Sequence, residues 1–155
     1  MHTLKHNVLV ISIANPILVG IYQDTKLIET ISQNGKTSNV LPTIFDTLLS
    51  KYNIENIIYV NGPGSFMAIK VGYIFLKTLS IVKNINLKAC SGFEFNNNSP
   101  IKALGKKYFF KGEDDTIQLK FLEDSIIEDF KLPNILNNNI GTADSLPNYN
   151  LPAVN

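Results

Sequence analysis

The sequence predicts a mixed α/β fold in the order β-β-β-α-β-α-β, and three observations predict it. Apolar runs of strand length alternate with turn-forming residues near the start of the chain. A segment with apolar residues three and four apart follows, which is the period of a helix with one buried face. A short apolar strand then passes through a glycine-rich turn into a second, almost wholly apolar helix. Strands and helices that interleave in this way build a mixed sheet with helices packed on it.

Val8-Leu9-Val10-Ile11-Ser12-Ile13 is a continuous apolar run, read as a strand buried on both faces. Asn15-Pro16 breaks it. Ile17 to Gln23 forms the second strand, Asp24-Thr25 a tight turn, and Lys26 to Gln33 the third strand. Asn34-Gly35 is a strong turn signal. Three strands joined by short turns make an antiparallel meander.

Leu41, Ile44, Phe45, Leu48, Leu49 and Tyr52 then fall on one face of a helix, with Thr43, Asp46, Thr47, Ser50 and Lys51 opposite. Ser38 or Asn39 caps its start, Pro42 is tolerated in the first turn, and Asn53 ends it. Ile57 to Val60 is the fourth strand, Phe66 to Val82 the second helix, and Leu87 to Cys90 the fifth strand.

The second half carries weaker signals. Asn96 to Pro100 reads as a loop, and Lys102 to Phe110 with Thr116 to Leu122 as a hairpin around Gly112-Glu113-Asp114-Asp115. Ser125 to Phe130 reads as one or two helical turns. From Pro133 onward Asn, Gly and Pro argue for loops.

At 155 residues, 45% hydrophobic and 17% charged, the chain is long and apolar enough to bury a core. Its 14 basic and 13 acidic residues leave a net charge of +1, which is no electrostatic footprint for nucleic acid. Every one of the basic residues is Lys. The bidentate guanidinium that grips phosphate and guanine is therefore missing, and the chain is not expected to be a main RNA-holding surface. A single Cys90 excludes an internal disulfide and suits a reducing compartment. No apolar run reaches spanning length uninterrupted, so the expected location is the cytoplasm, away from membranes.

The turn Gly62-Pro63-Gly64-Ser65 is the sharpest local feature. Glycine permits the sharp backbone turn, and the helix start behind it offers unpaired N–H groups. It lacks the Lys-Ser/Thr of a Walker loop and the spacing of a dinucleotide fingerprint. It is read as orienting the helix rather than holding phosphate. The helix is apolar at 66, 67, 69, 71, 73, 74, 75, 76, 79, 81 and 82, with only Lys70, Lys77 and Ser80 as a polar stripe. The plain alternative is a fully buried core helix. A chain of this size has little room to surround one, so the excess apolar surface is read as a face for a partner. Ala68 and Gly72, four apart, allow close approach of another helix.

His2 and His6 have helical metal-ligand spacing but precede the first strand in an end expected to fray, with no acidic neighbour, so no metal site is assigned. Cys90 is read as a buried thiol. Glu113-Asp114-Asp115 is read as a solvated turn. No acid–base pair stands out, and neither a catalytic residue nor a cofactor is assigned.

The stretch Asn61-Gly62-Pro63-Gly64-Ser65-Phe66-Met67-Ala68-Ile69-Lys70-Val71-Gly72 resembles the Gly-Pro-Gly-Ser-Phe-Thr-Gly-x-Arg-x-Gly segment of TsaB (YeaZ) proteins. The preceding order resembles that family too: three strands, a helix containing Leu41-Pro42, then the strand into the turn. The likeness covers residues 8–95. It implies an ASKHA (actin/Hsp70-like) fold with a first lobe over residues 1–95 and a shortened second lobe over 96–155.

The likeness implies a non-catalytic subunit in the synthesis of threonylcarbamoyladenosine in bacterial tRNA. Such a subunit docks on TsaD, which transfers the threonylcarbamoyl group to the adenosine next to the anticodon; TsaE, a P-loop ATPase, joins the complex. Docking runs through the two helices, or pairs two copies of the chain through the same helices. The residues expected to form the docking site are Gly62, Pro63, Gly64 and Ser65 at the helix start and Ala68, Gly72, Phe75, Leu76 and Leu79 along it. An Arg in place of Gly72 is expected to block docking without unfolding the chain. Which face of the first helix joins them stays open.

Several positions depart from the family pattern. Ser12 replaces the first strand's Asp, Met67-Ala68 the Thr-Gly after Phe66, and Lys70 the Arg; Lys36 stands where a His is common. These are the anion-managing positions. The rival expectation, a small ASKHA nucleotide-binding hydrolase or kinase, would need a carboxylate facing the turn.

Overall fold

Strand β1 (Lys5–Ile11) lies at the centre of a five-stranded sheet in the computed structural model, which describes residues 4–103, 105–122, 127–137 and 139–147. β2 (Ile17–Gln23) pairs antiparallel with β1 on one side, Leu9 opposite Gly20, and β3 (Lys26–Gln33) extends the meander with Ile31 opposite Val19. On the other side β4 (Asn53–Val60) runs parallel to β1, with Leu9 opposite Ile58. β5 (Asn86–Cys90) runs parallel to β4, Leu87 opposite Ile57. The order is β3-β2-β1-β4-β5. The two parallel pairs are made by crossovers through α1 (Thr37–Lys51) and α2 (Phe66–Lys83), as parallel strands require.

The expected order of elements is present. β2 and β3 have the expected bounds, because polar turns delimit them on each side. β1 and β4 begin earlier than their apolar runs, at Lys5 and Asn53. Their pairing carries on into polar positions, where the Asn56 amide donates to Asn7 Oδ1 at 2.8 Å. His6 is therefore not in a frayed end. It sits inside β1, 8% exposed, with its ring 4.7 Å from that of Tyr52. His2 lies outside the described residues. Neither Ser38 nor Asn39 caps α1: the cap residue is Lys36, and no side chain closes the end.

Side chains alternate across the strands, so β1 feeds two separate cores. Val8 and Val10 face the helices with Val19, Ile57 and Tyr59, and meet Val40, Leu41, Ile44, Phe45 and Leu48 of α1 and Leu76 of α2. Each fully buried aliphatic side chain contributes about 1.5–3 kcal/mol of transfer free energy. Leu9 and Ile11 face the other way, with Tyr22, Ile58, Val60 and Cys90. That face would be wet if the sheet and its helices were the whole fold. It is covered by Phe95, Leu136 and the half-buried Phe130, Leu132 and Ile140.

Main-chain bonds stitch the covering segment to both sheet edges. Leu27 N donates to Asn134 O at 2.9 Å and Leu136 N to Thr25 O at 2.7 Å, beside β3. At β5, Ala89 and Thr142 exchange N–H···O bonds of 3.1 and 2.9 Å. The Tyr59 hydroxyl, on the helix face, donates to the Ser145 carbonyl. The loops expected beyond residue 133 are thus irregular but tightly held.

A second, three-stranded antiparallel sheet packs at the end of the first. The hairpin of β6 (Ile101–Lys102), β7 (Lys107–Lys111) and β8 (Ile117–Phe121) turns at 112–115 as expected, with β6 a separate short strand. Phe93, Ile101 and Phe109 form its core against Ile13. Of the helical turns expected over 125–130, residues 125 and 126 lie outside the described residues. Residues 127–130 are not helical, and Phe130 packs against both of these cores.

Candidate functional site

The Gly62-Pro63-Gly64-Ser65 turn joins β4 to α2 and is mostly interior. Gly62, Pro63 and Gly64 are buried, and only Ser65 is exposed. Gly62 has φ +137°, which a side chain would strain. Its carbonyl accepts from Gly92 N at 2.9 Å, and a Cβ on Gly64 would stand 3.4 Å from Ile13 Cβ. The turn fixes where α2 starts, and main-chain bonds at Asn61 N (to Cys90 O) and Gly62 O tie it to the end of β5 and the segment after it.

Along α2 the structure divides the expected docking residues. Leu76 is fully buried and Gly72 faces inward: a Cβ there would lie 3.3 Å from Ser12 Oγ and 3.8 Å from Thr37 Cγ2. An Arg at position 72 would therefore meet β1 and α1 before any partner, which corrects the expectation that such a chain stays folded. Phe75 and Leu79 are half-buried against the core, Phe75 with its ring 6.0 Å from that of Phe45. Ala68 is half-buried and Ser65 open.

The outward face is carried by other residues. Met67, Ile74, Ile81 and Val82 are 53–70% exposed. They are four of the nine exposed large hydrophobics among the described residues, and the rest scatter over other elements. Met67, Val71, Ile74, Thr78 and Ile81 follow one another at spacings of four and three, a single stripe. The exposed Thr78 stands within it, its hydroxyl donating to the Ile74 carbonyl of its own helix at 2.8 Å. The outward side of α1, by contrast, is polar: Asn39, Thr43, Asp46, Thr47 and Ser50. All the apolar positions of α2 are visible in the sequence. Which of them point outward depends on where the sheet lies.

Beside the stripe opens a cleft of about 560 Å³. It lies between the β1–β2 loop, the entry to α1 and the first turns of α2, and Met67 and Val71 belong both to its wall and to the stripe. Asn15 Oδ1 accepts from Gly35 N at 3.1 Å and ties the loop to the α1 entry. No Asp or Glu is among its lining residues.

Cys90 is buried, its thiol 3.7 Å from the Tyr59 carbonyl. Burial, with Glu94's charge adding to it, raises its pKa far above the ordinary thiol range. Among the described residues no cluster of His, Cys, Asp and Glu is arranged to hold a metal ion, and no helix is long and apolar enough to cross a membrane.

The fold defines the chain as a mixed α/β domain whose central sheet carries two helices on one face. Among solved structures this arrangement matches YeaZ from Pseudomonas aeruginosa, with a TM-score of 0.59 at 11% identity over 85% of this chain. It also matches a protein described as uncharacterized, with similarity to the peptidase YeaZ from Pseudomonas aeruginosa, at 0.52 and 12% over 75%. The chain spans 66% and 63% of the lengths of those two structures. The fold is thus that of YeaZ. No protein-family model matches the sequence, and no curated protein does.

Proposed function

We propose that this chain is a TsaB-like, non-catalytic subunit that docks on TsaD and supports threonylcarbamoyl transfer to the adenosine beside the tRNA anticodon. The observation that carries the reading is the apolar stripe of Met67, Ile74 and Ile81 on α2 of a YeaZ fold. An exposed apolar face of this kind marks an interaction site. TsaE joins the same assembly, and tRNA contact is indirect, in keeping with a chain that has no Arg. A homodimer through the same stripe is the competing pairing.

The rival reading, a small nucleotide hydrolase or kinase of the same fold class, wants a carboxylate to manage metal and phosphate. β1 leads into Ser12 at that place, and the cleft wall has no acidic residue. ATP turnover by the purified chain, lost on substitution of Ser65, would bring it forward.

The test mixes the purified chain with TsaD from the same source and follows the mass by size-exclusion chromatography with light scattering. A stable one-to-one complex that replaces any homodimer is expected. No complex, with or without nucleotide, would overturn the docking reading.

A further inference from the structure

We infer that the cleft at the start of the parallel strands is a binding site for a small zwitterion, a free amino acid with an apolar side chain. The cleft has a volume of about 450 Å³ and lies on the covered face of the sheet, at the opposite end from the Gly62-Pro63-Gly64-Ser65 turn. Its charged lining residues are Lys5, Lys88, Glu55 and Asp24, two of each sign. Ile58 of β4 and Leu136 and Ile140 of the covering segment supply its apolar wall.

Glu55 reaches the cleft because β4 is irregular. His6 lies opposite Ile54 and Asn7 opposite Asn56, so Glu55 has no partner in β1. Such bulges are rare between parallel strands, and they re-aim side chains. Ile54 and Ile57 both belong to the helix-side core although they are three residues apart, where a regular strand repeats every two. The extra residue puts Glu55 and Asn56, neighbours in sequence, together in the cleft wall. Neither is used up by the fold. The Asn56 amide donates to Asn7 Oδ1 at 2.8 Å, but Asn56 Oδ1 accepts from no described residue. Glu55 has only Lys5, at 3.8 Å, and both side chains are open to solvent.

The independent observation is Lys88. It is half-buried opposite Ile58, and among the described residues its ammonium has no hydrogen-bond or ion-pair partner. Gly141 lets the covering segment lie directly on it: a Cβ there would stand 3.1 Å from Lys88 Cβ and 3.4 Å from Ile58 Cγ2. That segment is pinned at both ends, by Leu136 N to Thr25 O at 2.7 Å and by the Ala89–Thr142 pair, so the wall is preformed. A free ammonium suits a carboxylate, and a carboxylate beside an amide oxygen suits an ammonium. The apolar wall suits the side chain of the same ligand. A lining with two charges of each sign favours a ligand that carries both over a simple anion or cation.

The inference holds whether or not the chain docks on TsaD, and its test uses this chain alone. L-leucine is titrated into isotope-labelled protein while amide resonances are followed. Isocaproate, which lacks the ammonium, and isoamylamine, which lacks the carboxylate, are the comparisons. Saturable shifts with L-leucine are expected at Asn56, Ile58, Lys88 and Ile140. Each comparison compound should bind roughly tenfold more weakly, the effect of losing one hydrogen bond to a charged group. Lys88→Met keeps the stem and removes the charge; it should weaken L-leucine roughly tenfold and leave isoamylamine unchanged. Glu55→Gln, at an exposed position, should weaken L-leucine severalfold and leave isocaproate unchanged. Absence of saturable shifts with L-leucine would overturn the inference. So would isocaproate binding as tightly as L-leucine, which would make the cleft a plain carboxylate site, or equal affinity in the wild type and a folded Lys88→Met.

Discussion

The Tyr22 hydroxyl donates to the Pro133 carbonyl at 2.7 Å, joining the second strand to a segment 111 positions further along the chain. Tyr22 is fully buried, and burial raises its phenol pKa well above the ordinary value. The bond holds the covering segment over Leu9, Ile11 and Ile58, so the irregular last third belongs to the core. Tyr22→Phe is expected to cost about 1 kcal/mol, the net value of one hydrogen bond. Leu136→Ala, which opens a cavity in the same layer, is expected to cost about 2–4 kcal/mol. Urea unfolding measures both. Losses of a few tenths in each would mean that the segment lies on the sheet without stabilising it.

The two faces of α2 should separate stability from binding. Ile74 points outward, so Ile74→Lys should change stability by less than about 0.5 kcal/mol, as exposed substitutions do. The same change should abolish docking on TsaD. Leu76 points inward and is fully buried, so Leu76→Ala should cost about 2–5 kcal/mol. Thermal unfolding with light scattering of the mixture checks both. A chain with Ile74→Lys that still binds TsaD undiminished would overturn the proposal that the stripe is the docking surface.

How far the sequence reached follows from which residues carry a period. The polar turn at Asp24-Thr25 and the i, i+3, i+4 pattern of Leu41, Ile44, Phe45 and Leu48 made β2, β3 and α1 legible. In α2 apolar residues stand on every side, so no stripe distinguishes inward Gly72 and Leu76 from outward Ile74 and Ile81. Only the position of the sheet decides that. His6 was hidden because the pairing of β1 with β4 runs on past the apolar run, into Asn7 and Asn56. The covering segment was illegible for a different reason. Phe130, Leu132, Leu136 and Ile140 are single apolar residues among Asn, Lys and Pro, with no periodicity, and long-range bonds alone place them. The cleft depends on three segments that meet only in space: the β1–β2 loop and the entries to both helices.

Acid should loosen the α1–β3 contact. Glu29 Oε1 accepts from Lys51 Nζ at 2.7 Å and from the Tyr52 hydroxyl at 2.6 Å. These two bonds hold the carboxyl below its ordinary value of 4.5. The folded state therefore binds the proton less readily than the unfolded chain. The stabilisation is present above about pH 4.5 and disappears as pH falls through the lowered folded value. The pair is partly exposed, so the effect is small and weakens with salt. A stability profile between neutral and acid pH should show a step that Glu29→Gln removes. An identical acid limb in the variant would assign the step to other carboxylates.

Cys90 provides a reporter of unfolding. The residue is 8% exposed at the end of β5, and burial raises its thiol pKa above the range in which a thiolate forms at neutral pH. The thiolate is the reactive species, so a disulfide reagent such as DTNB should label the native chain only through opening of the sheet edge. That edge is closed by the Ala89–Thr142 pair, which gives the opening a definite barrier. Labelling at pH 7 should be slow, should rise steeply with urea, and should match the unfolding free energy measured by circular dichroism. Gly141 has φ +82°, and a Cβ there would lie 3.1 Å from Lys88 Cβ, so Gly141→Val should loosen the Thr142 strap and speed labelling at low urea. Fast labelling of the unmodified chain without denaturant would mean that the β5 edge opens freely and that the strap does not close it.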